Sequence, residues 1–468
     1  MSGAAPCVVR SGKPQGAPWI PVAIVGGGAC GLTATLMLAD AGIECVVLER
    51  DAAPSGSTAL SSGFIPAPGT RVQKARGIED SAGQFERDIQ AKAHGTAAPH
   101  LARAYARKIG PALDALEANH GLQWELLEGF LYPGHTALRM HAVPERSGAG
   151  LMSRLRRAAD AAGVAVMTGA LARELWIGDD GQVTGLGFLR PDGRMEQLGC
   201  GAVLLACNGF GGDRALVREL LPEMAEATFA GHAGNDGSAI AWGRALGARL
   251  ADLGGYQGHG SWAVPQGVLV SWALMMEGAI QVNREGRRFH DETQGYSEAA
   301  VHVLAQPGGV AWNVLDDRLL AFAQEFPDFR EAQSAGAVHR APDTEALARL
   351  IGCSAGALRA TLDSVRDGEV STDGRRFTRA LAPPYHAVKV TGALFHTQGG
   401  LDIDTQCRVL GRDGTPWPNL LAAGGAARGV SGNAVWGYLS GNGLLSAVAG
   451  GAIAARTATQ WLTNKESP

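Results

Sequence analysis

The chain has no run of like charges. Lys, Arg, Asp and Glu make up 18% of its 468 residues, lie scattered along it and leave a net charge of −4. That argues against nucleic acid or an anionic membrane surface as a partner. Close cysteine pairs are missing too. The seven cysteines, at positions 7, 30, 45, 200, 207, 353 and 407, nowhere form a CxxC pair. An odd, scattered set suggests neither a disulfide framework nor a zinc cage and fits a reducing compartment, so a cytoplasmic protein without a structural metal is expected. Long apolar runs are also wanting. The most apolar tail segment, LLSAVAGGAIAARTA at 444–458, is short and rich in small residues, which predicts a buried helix and no stable membrane insertion. Residues 1–19 lack the apolar core of a signal peptide and read as a flexible arm.

What is present points to a folded protein of two or three domains. Hydrophobic residues are 46% of the chain, enough to bury a large core. Its 66 glycines, without a collagen period, imply many tight turns and close approaches of backbone to backbone or ligand. The first such turn is informative. An apolar run from Pro21 to Val25 enters GGGACG, then LTATLMLADAG, then a second apolar run ending at Glu49. Gly26, Gly28 and Gly31 give the spacing G-x-G-x-x-G between strand and helix, and Glu49 stands where a ribose-binding acid is expected. Free N–H groups and the dipole at a helix N-terminus favour a pyrophosphate there.

Further segments read as parts of the same nucleotide domain: GAVLLACNGFGGD at 201–213, PNLLAAGGAARG at 418–429 and the glycine loop with a long helix that ends the chain. Amphipathic stretches such as APDTEALARLIG and AGALRATLDSVRDG characterise the middle of the chain. We therefore expect a domain inserted at 237–385, between nucleotide-domain parts at 20–236 and 386–468.

Together the motifs VGGGACGL, PSGSTALSSGFI, LLACNGFGGD, AGNDG, GAIQVNREGRRFHDE, FHTQGGLDID, LLAAGGAARG and GNGLLSAVAGGAIAA resemble, in that order, the FAD-dependent family of fumarate reductase, succinate dehydrogenase flavoprotein and 3-ketosteroid Δ1-dehydrogenase. The resemblance implies an α/β fold: a two-part Rossmann-like FAD-binding domain with an inserted α+β capping domain. It implies FAD contacts from Gly26, Gly28, Ala29, Cys30 and Gly31, from Glu49 and Arg50, and from Ser57, Thr58, Ser61, Ser62 and Gly63. Later motifs add Ala206, Asn208, Gly209 and Asp236, then Gly424 and Gly425, then Gly443, Leu444 and Leu445. Where membrane-bound succinate dehydrogenases tether the flavin through histidine, this chain has Ser57, so FAD is expected to be non-covalent. Where the family usually directs a glutamate toward the cofactor, it has Gly425.

The resemblance also exposes what the active site lacks. Dicarboxylate reductases clamp substrate carboxylates with arginines, whose planar fork matches a carboxylate and cannot lose its charge. Counted from VNREGRRF, the proton-donor arginine position falls on Tyr296 and an upstream clamp position on Met275; the C-terminal clamp position falls on Tyr438. Burying a dicarboxylate without those cations costs several kcal/mol, so a neutral, partly apolar substrate is expected. Two histidines of the family pattern remain, His259 and His396, and Trp272, Met275 and Trp436 are candidate apolar lining. In the ketosteroid dehydrogenase branch one tyrosine holds the ketone with a backbone N–H and another takes the α-proton. By that resemblance Tyr438 is the carbonyl-side donor, with Gly441 or Asn442 supplying the N–H, and Tyr296 is the base.

The expected activity is an FAD-dependent dehydrogenation placing a C=C bond α,β to a ketone of a cyclic, mainly apolar small molecule, with an unknown electron acceptor. Two other readings stand beside it. One is a fumarate- or enoate-type reductase whose single substrate carboxylate is held by the histidines or Arg428. The other is a flavin-binding redox subunit without turnover of its own. Bland roles also compete residue by residue: Tyr296 as a loop cap, Tyr438 as packing, Asp291 and Glu292 as loop fixers.

Overall fold

Uninterrupted apolar residues make Trp19–Val25 and Cys45–Leu48 adjacent parallel strands, in register from Val22 opposite Cys45 to Val25 opposite Leu48. Such runs, buried on both faces, suit the interior of a parallel sheet. The computed structural model describes residues 5–10, 12–129, 131–365, 370–371, 374–377 and 379–465. Within them the chain divides into two units. The first comprises Met1–Leu220, Gly231–Tyr256 and His396–Pro468; the second comprises Leu221–Ala230 and Gln257–Phe395.

The first unit is built on a nine-stranded sheet. From one edge the order is Cys7–Val9, Leu171–Ile177, Val183–Leu189, Met195–Leu205, Trp19–Val25, Cys45–Leu48 and Ala165–Met167, with Pro416–Ala422 pairing Met195–Leu205 in parallel and Arg408–Leu410 antiparallel. Three parallel strands end together. Gly26 N–H donates to Leu48, Ala206 N–H to Val25 and Ala423 N–H to Leu205. The turns after Val25, Leu205 and Ala422 therefore gather at the carboxyl edge of the sheet, where open α/β sheets receive ligands. Behind them the Ala29–Asp40 helix packs on the terminal Asn442–Lys465 helix. Their contact needs Gly451, because a Cβ there would lie 2.4 Å from Cys30 O.

The second unit has a seven-stranded sheet ordered Val268–Leu269, Tyr256–Ala263, Tyr385–Thr397, Val310–Asp316 and Ile280–Val282; Thr228–Phe229 and Val338–Ala341 also pair with Tyr385–Thr397. Its centre holds polar side chains. Gln281 donates to Gly260 O and Asn313 Oδ1, both at 2.8 Å, and Asn313 donates to Ser261 Oγ at 2.9 Å. His290 Nε2 lies 2.8 Å from Gln281 Oε1. A buried polar cluster with its partners filled fixes strand register more narrowly than an apolar one.

Two sequence expectations need correction. Residues Cys7–Val9, read as part of a flexible arm, form a strand parallel to Glu174–Trp176, and Trp242 Nε1 donates to Cys7 O at 3.1 Å. The insertion, placed at 237–385, is displaced to 257–395, with 221–230 added. The Ser238–Leu246 helix explains the first shift: its fully buried Trp242 also donates to Arg173 O, inside the nucleotide unit. Tyr385–Thr397 explains the second, since that strand is paired with Val310–Asp316 from its first residue to Thr391.

Candidate active site

The glycine turn of the first unit is shaped for backbone alone. A Cβ on Gly31 would lie 2.0 Å from Gly26 O, and one on Gly26 2.5 Å from Ala206 O. Gly28 caps the Ala29–Asp40 helix without a side chain, leaving the helix end open to an anion. Around it, Glu49 Oε2 accepts from Gly27 N–H at 2.8 Å and Thr58 Oγ accepts from Ala29 N–H at 3.1 Å. Arg50 reaches Gly234 O at 3.1 Å and Asp236 at 3.4 Å. Ser61 caps the short Gly56–Leu60 helix, and Gly63, at φ +75°, accepts the close pass of Ser147. Ser62 is exposed beside them.

The Gly425 position is explained by a neighbour. A Cβ there would meet Asn208 Oδ1 at 2.1 Å, so the amide of Asn208 occupies the space. Asn208 holds φ +65°, and its Nδ2 donates to Ser57 Oγ at 3.0 Å while Asn235 donates to the same oxygen at 2.9 Å. Gly209, whose Cβ would lie 1.9 Å from Thr397 Oγ, completes this turn. At the far helix, Asn442 Oδ1 and Ser446 Oγ are buried without a hydrogen-bond partner. Buried orphan acceptors next to a helix start, in the same unit as a cradle that excludes side chains, fit a large polar cofactor such as FAD. Substituting Gly31 with alanine is expected to cost more than about tenfold in FAD affinity, read by titrating the apoprotein against flavin fluorescence.

Beside that helix start sits the Tyr438 loop. Tyr438 is 6% exposed, and the His396 ring stands edge-on to it, centroids 5.5 Å apart. Imidazole and loop are interlocked: a Cβ on Gly443 would lie 2.7 Å from His396 Nε2. A hydrogen-bond chain orients the ring. Asn442 Nδ2 donates to Ser431 Oγ, Ser431 Oγ to Gln398 Oε1, and Gln398 Nε2 to His396 Nδ1 at 3.0 Å. Nδ1 also lies 3.4 Å from Thr397 O; the shorter contact, with the Gln398 amide donating, makes Nδ1 the acceptor and leaves the proton on Nε2. Burial holds the His396 pKa down to about 4, so the ring is neutral. One expected donor is spent: Asn442 N–H donates to Leu439 O at 3.0 Å. Of the two candidate backbone donors this leaves Gly441, at φ +86°. Leu444 and Leu445 are buried behind it.

The second unit presents the other tyrosine. Tyr296 is the first residue of the Tyr296–Leu304 helix, entered through Gly295 at φ +144°. The His259 ring stacks on it at 5.0 Å and 20°, with Trp272 edge-on to His259 at 5.7 Å and Phe395 tilted against it at 5.8 Å. Ser261 N–H donates to His259 Nδ1 at 3.1 Å, so the proton again sits on Nε2. Burial lowers the His259 pKa to about 3. Each tyrosine thus has a neutral imidazole beside it.

Met275 does not line a surface. It is 0% exposed in the core of the second unit, because the Ala273–Met276 turn is tied inward by Arg375, which donates to Met275 O at 2.6 Å and Ala279 O at 2.8 Å. Trp272 reaches the histidine but is also anchored, its Nε1 donating to Glu292 O. Trp436 lies at the surface of the first unit, 44% exposed and stacked on His94.

Glu292 fixes this wall. Its carboxylate takes Arg288 at 3.0 Å and Arg375 at 2.7 Å. Burial raises its pKa, but Arg288 and Arg375 outweigh that and hold it at about 2. Against an ordinary value near 4.5 this contributes about 3 kcal/mol of stability above pH 4.5, lost as pH falls toward 2. Denaturant midpoints at pH 4.5 and 3 should separate the parent from Glu292→Gln, in which that part of the acid sensitivity is gone.

Arg428, the cation a substrate carboxylate would need, is committed. Its Nε and Nη2 take both oxygens of Asp252 at 2.6 and 3.2 Å, and Nη1 takes Asp402 at 3.4 Å.

A cradle of this kind at the carboxyl edge of the sheet fits a dinucleotide cofactor, and the family match makes the chain an FAD-dependent oxidoreductase acting on carbon–carbon bonds. The chain belongs to the FAD binding domain family that matches it over residues 21–444. It is 26% identical to a probable fumarate reductase, Ifc3, of Shewanella frigidimarina, over 95% of this chain and 75% of that one. It is 27% identical to 4-oxocyclohex-2-ene-1-carboxylate 5-dehydrogenase of Sinomonas cyclohexanicum, over 89% of this chain and 90% of that one. Its fold matches a 3-ketosteroid Δ1-dehydrogenase from Sterolibacterium denitrificans with a TM-score of 0.78 at 21% identity, covering 95% of this chain and all of that one. Among the described residues no helix is long and apolar enough to cross a membrane.

Proposed function

We propose that the protein dehydrogenates a cyclic, mainly apolar ketone, setting a C=C bond α,β to the carbonyl. The observation that carries this is the pairing of each tyrosine with a neutral imidazole, Tyr296 with His259 and Tyr438 with His396, in segments where Arg428 is already held by two carboxylates. Neutral donors suit a ketone oxygen and leave a dicarboxylate uncompensated. The Sinomonas relative, named for dehydrogenating a cyclohexenone acid, supports the ketone part of the reading.

When bound, FAD supplies a two-electron acceptor for the hydride leaving the β-carbon. Glu49, Thr58, Asn442 and Ser446 would hold it. Ser57, engaged by two amides, supports non-covalent attachment. Tyr438 O–H and Gly441 N–H donate to the ketone oxygen and stabilise the charge that grows there as the α-proton leaves, an oxyanion-hole role. Tyr296 takes the α-proton. Presenting a phenolate at pH 7 costs about 4 kcal/mol. The N-terminal end of its helix offsets about 0.3–1 kcal/mol of that, and the oxygen-side donors lower the barrier further.

A substrate panel under anaerobic conditions tests the reading. Neutral cyclohexanones and 3-ketosteroids should bleach the flavin and fumarate should not reoxidise it. Turnover of unsaturated acids alone would favour the reductive reading that the fumarate reductase relative suggests. A cytoplasmic location remains our reading, since all seven cysteines are free thiols.

A further inference from the structure

Within the first unit a buried ion cluster lies against the Tyr438 loop. Arg139 is 1% exposed. Its Nε and Nη2 donate to the two oxygens of Asp80 at 2.9 and 3.0 Å, and its Nη1 donates to Asp88. Asp88 is further held by Thr136 N–H at 2.9 Å, and Asp80 by Gln73 Nε2 at 3.1 Å. Arg139 Nη1 has one more contact, His135 Nδ1 at 3.3 Å.

That contact decides a tautomer. A guanidinium only donates, so His135 Nδ1 accepts and its proton sits on Nε2. Nε2 is 3.0 Å from Ser440 O, and the bond therefore runs from the ring to the carbonyl. Burial, with Arg139 adding to it, lowers the His135 pKa to about 4, so the ring keeps this single proton at neutral pH. The loop is packed from the same side: a Cβ on Gly134 would lie 2.8 Å from Leu439 Cδ1, and one on Gly441 2.5 Å from Pro66 Cδ.

Ser440 C=O and Gly441 N–H belong to one peptide unit. In a planar trans peptide they point in opposite directions, so whatever holds the carbonyl also aims the N–H. We propose that His135 is a positioning residue: by donating to Ser440 O it turns the Gly441 N–H toward the substrate's carbonyl oxygen, while Arg139, clamped by Asp80 and Asp88, selects the tautomer that donates. The inference rests on the reading of Gly441 as a carbonyl-side donor.

The FAD-loaded full chain with His135→Phe and His135→Gln tests it. Phenylalanine keeps the ring that stacks on Phe85 and removes the donor; glutamine returns an N–H near the Nε2 position. His135→Phe should slow ketone-driven flavin bleaching about 10- to 100-fold and weaken binding of an unreactive cyclic phenol. FAD affinity should hold and the chain should stay folded with a modestly lower Tm, and His135→Gln should recover most of both losses. Bleaching by His135→Phe at the parent rate would overturn the proposal. So would a glutamine variant no better than phenylalanine, or a loss that follows FAD release. If no ketone bleaches the parent, the ketone reading fails by itself. The same pair is then compared in flavin reoxidation by whichever unsaturated acid the parent accepts: loss with rescue supports His135, and equal rates overturn it.

Discussion

Replacing Tyr296 with phenylalanine is expected to slow flavin bleaching by a cyclic ketone by about 10²–10⁴-fold, the usual contribution of a positioned general base. FAD should stay bound, because Tyr296 lies in the second unit and the glycine cradle in the first. The aromatic stack on His259 survives the change, so protein stability should move little. A second signature follows from the neutral histidine. With the His259 pKa near 3, the ring stacked on Tyr296 stays neutral, and the parent's bleaching rate should climb steadily from pH 6 to 9 as the phenolate fraction grows. In the phenylalanine variant the climb should vanish. Stopped-flow bleaching at several pH values reads both outcomes.

Tyr438→Phe should cost about 10²–10³-fold in the same rate, the penalty for removing one oxyanion-hole donor. The two tyrosines differ in what else they change. Tyr438 acts on the carbonyl oxygen, so its loss should also weaken binding of an unreactive ketone analogue, whereas Tyr296 acts on the α-proton and should leave that affinity nearly intact. Equilibrium titration of each variant with the analogue, followed by the shift it causes in the flavin spectrum, separates the roles.

The nucleotide unit was legible in the sequence because its signals are local. Gly26, Gly28, Gly31 and Glu49 sit in one strand-turn-helix-strand stretch, and their spacing alone carries the geometry. The tyrosines were legible through family resemblance, not through spacing. Other features depend on contacts far apart in the chain. Gly425 is glycine because Asn208, over two hundred residues earlier, fills its side-chain space. Asn442 was a candidate backbone donor until its N–H was found on Leu439 O. Met275 sat in a motif that marks the substrate side of relatives, but Arg375 pulls its turn into the core.

Boundaries failed for the same reason. Trp242 belongs to the nucleotide unit through bonds to Cys7 and Arg173, and no composition change marks that. The short Cys7–Val9 strand exists because a sheet edge formed by Leu171–Ile177 receives it, although its Gly/Pro-rich surroundings suggest an arm. The Asp80, Asp88, His135 and Arg139 cluster left only one faint trace, a histidine and arginine four residues apart after Gly134. Nothing in such a trace tells a buried clamp from a solvated pair.

The central claim is that the family's cofactor site is kept while the substrate has changed from a carboxylate to a ketone. One anaerobic turnover tests it most directly: the oxidised, FAD-loaded protein is mixed with cyclohexanone deuterated at the β-carbon and followed by flavin absorbance. The account predicts bleaching slower than with unlabelled ketone, and one equivalent of enone per flavin. A flavin that stays oxidised with ketones, yet once chemically reduced is reoxidised by fumarate or another unsaturated acid, would contradict it.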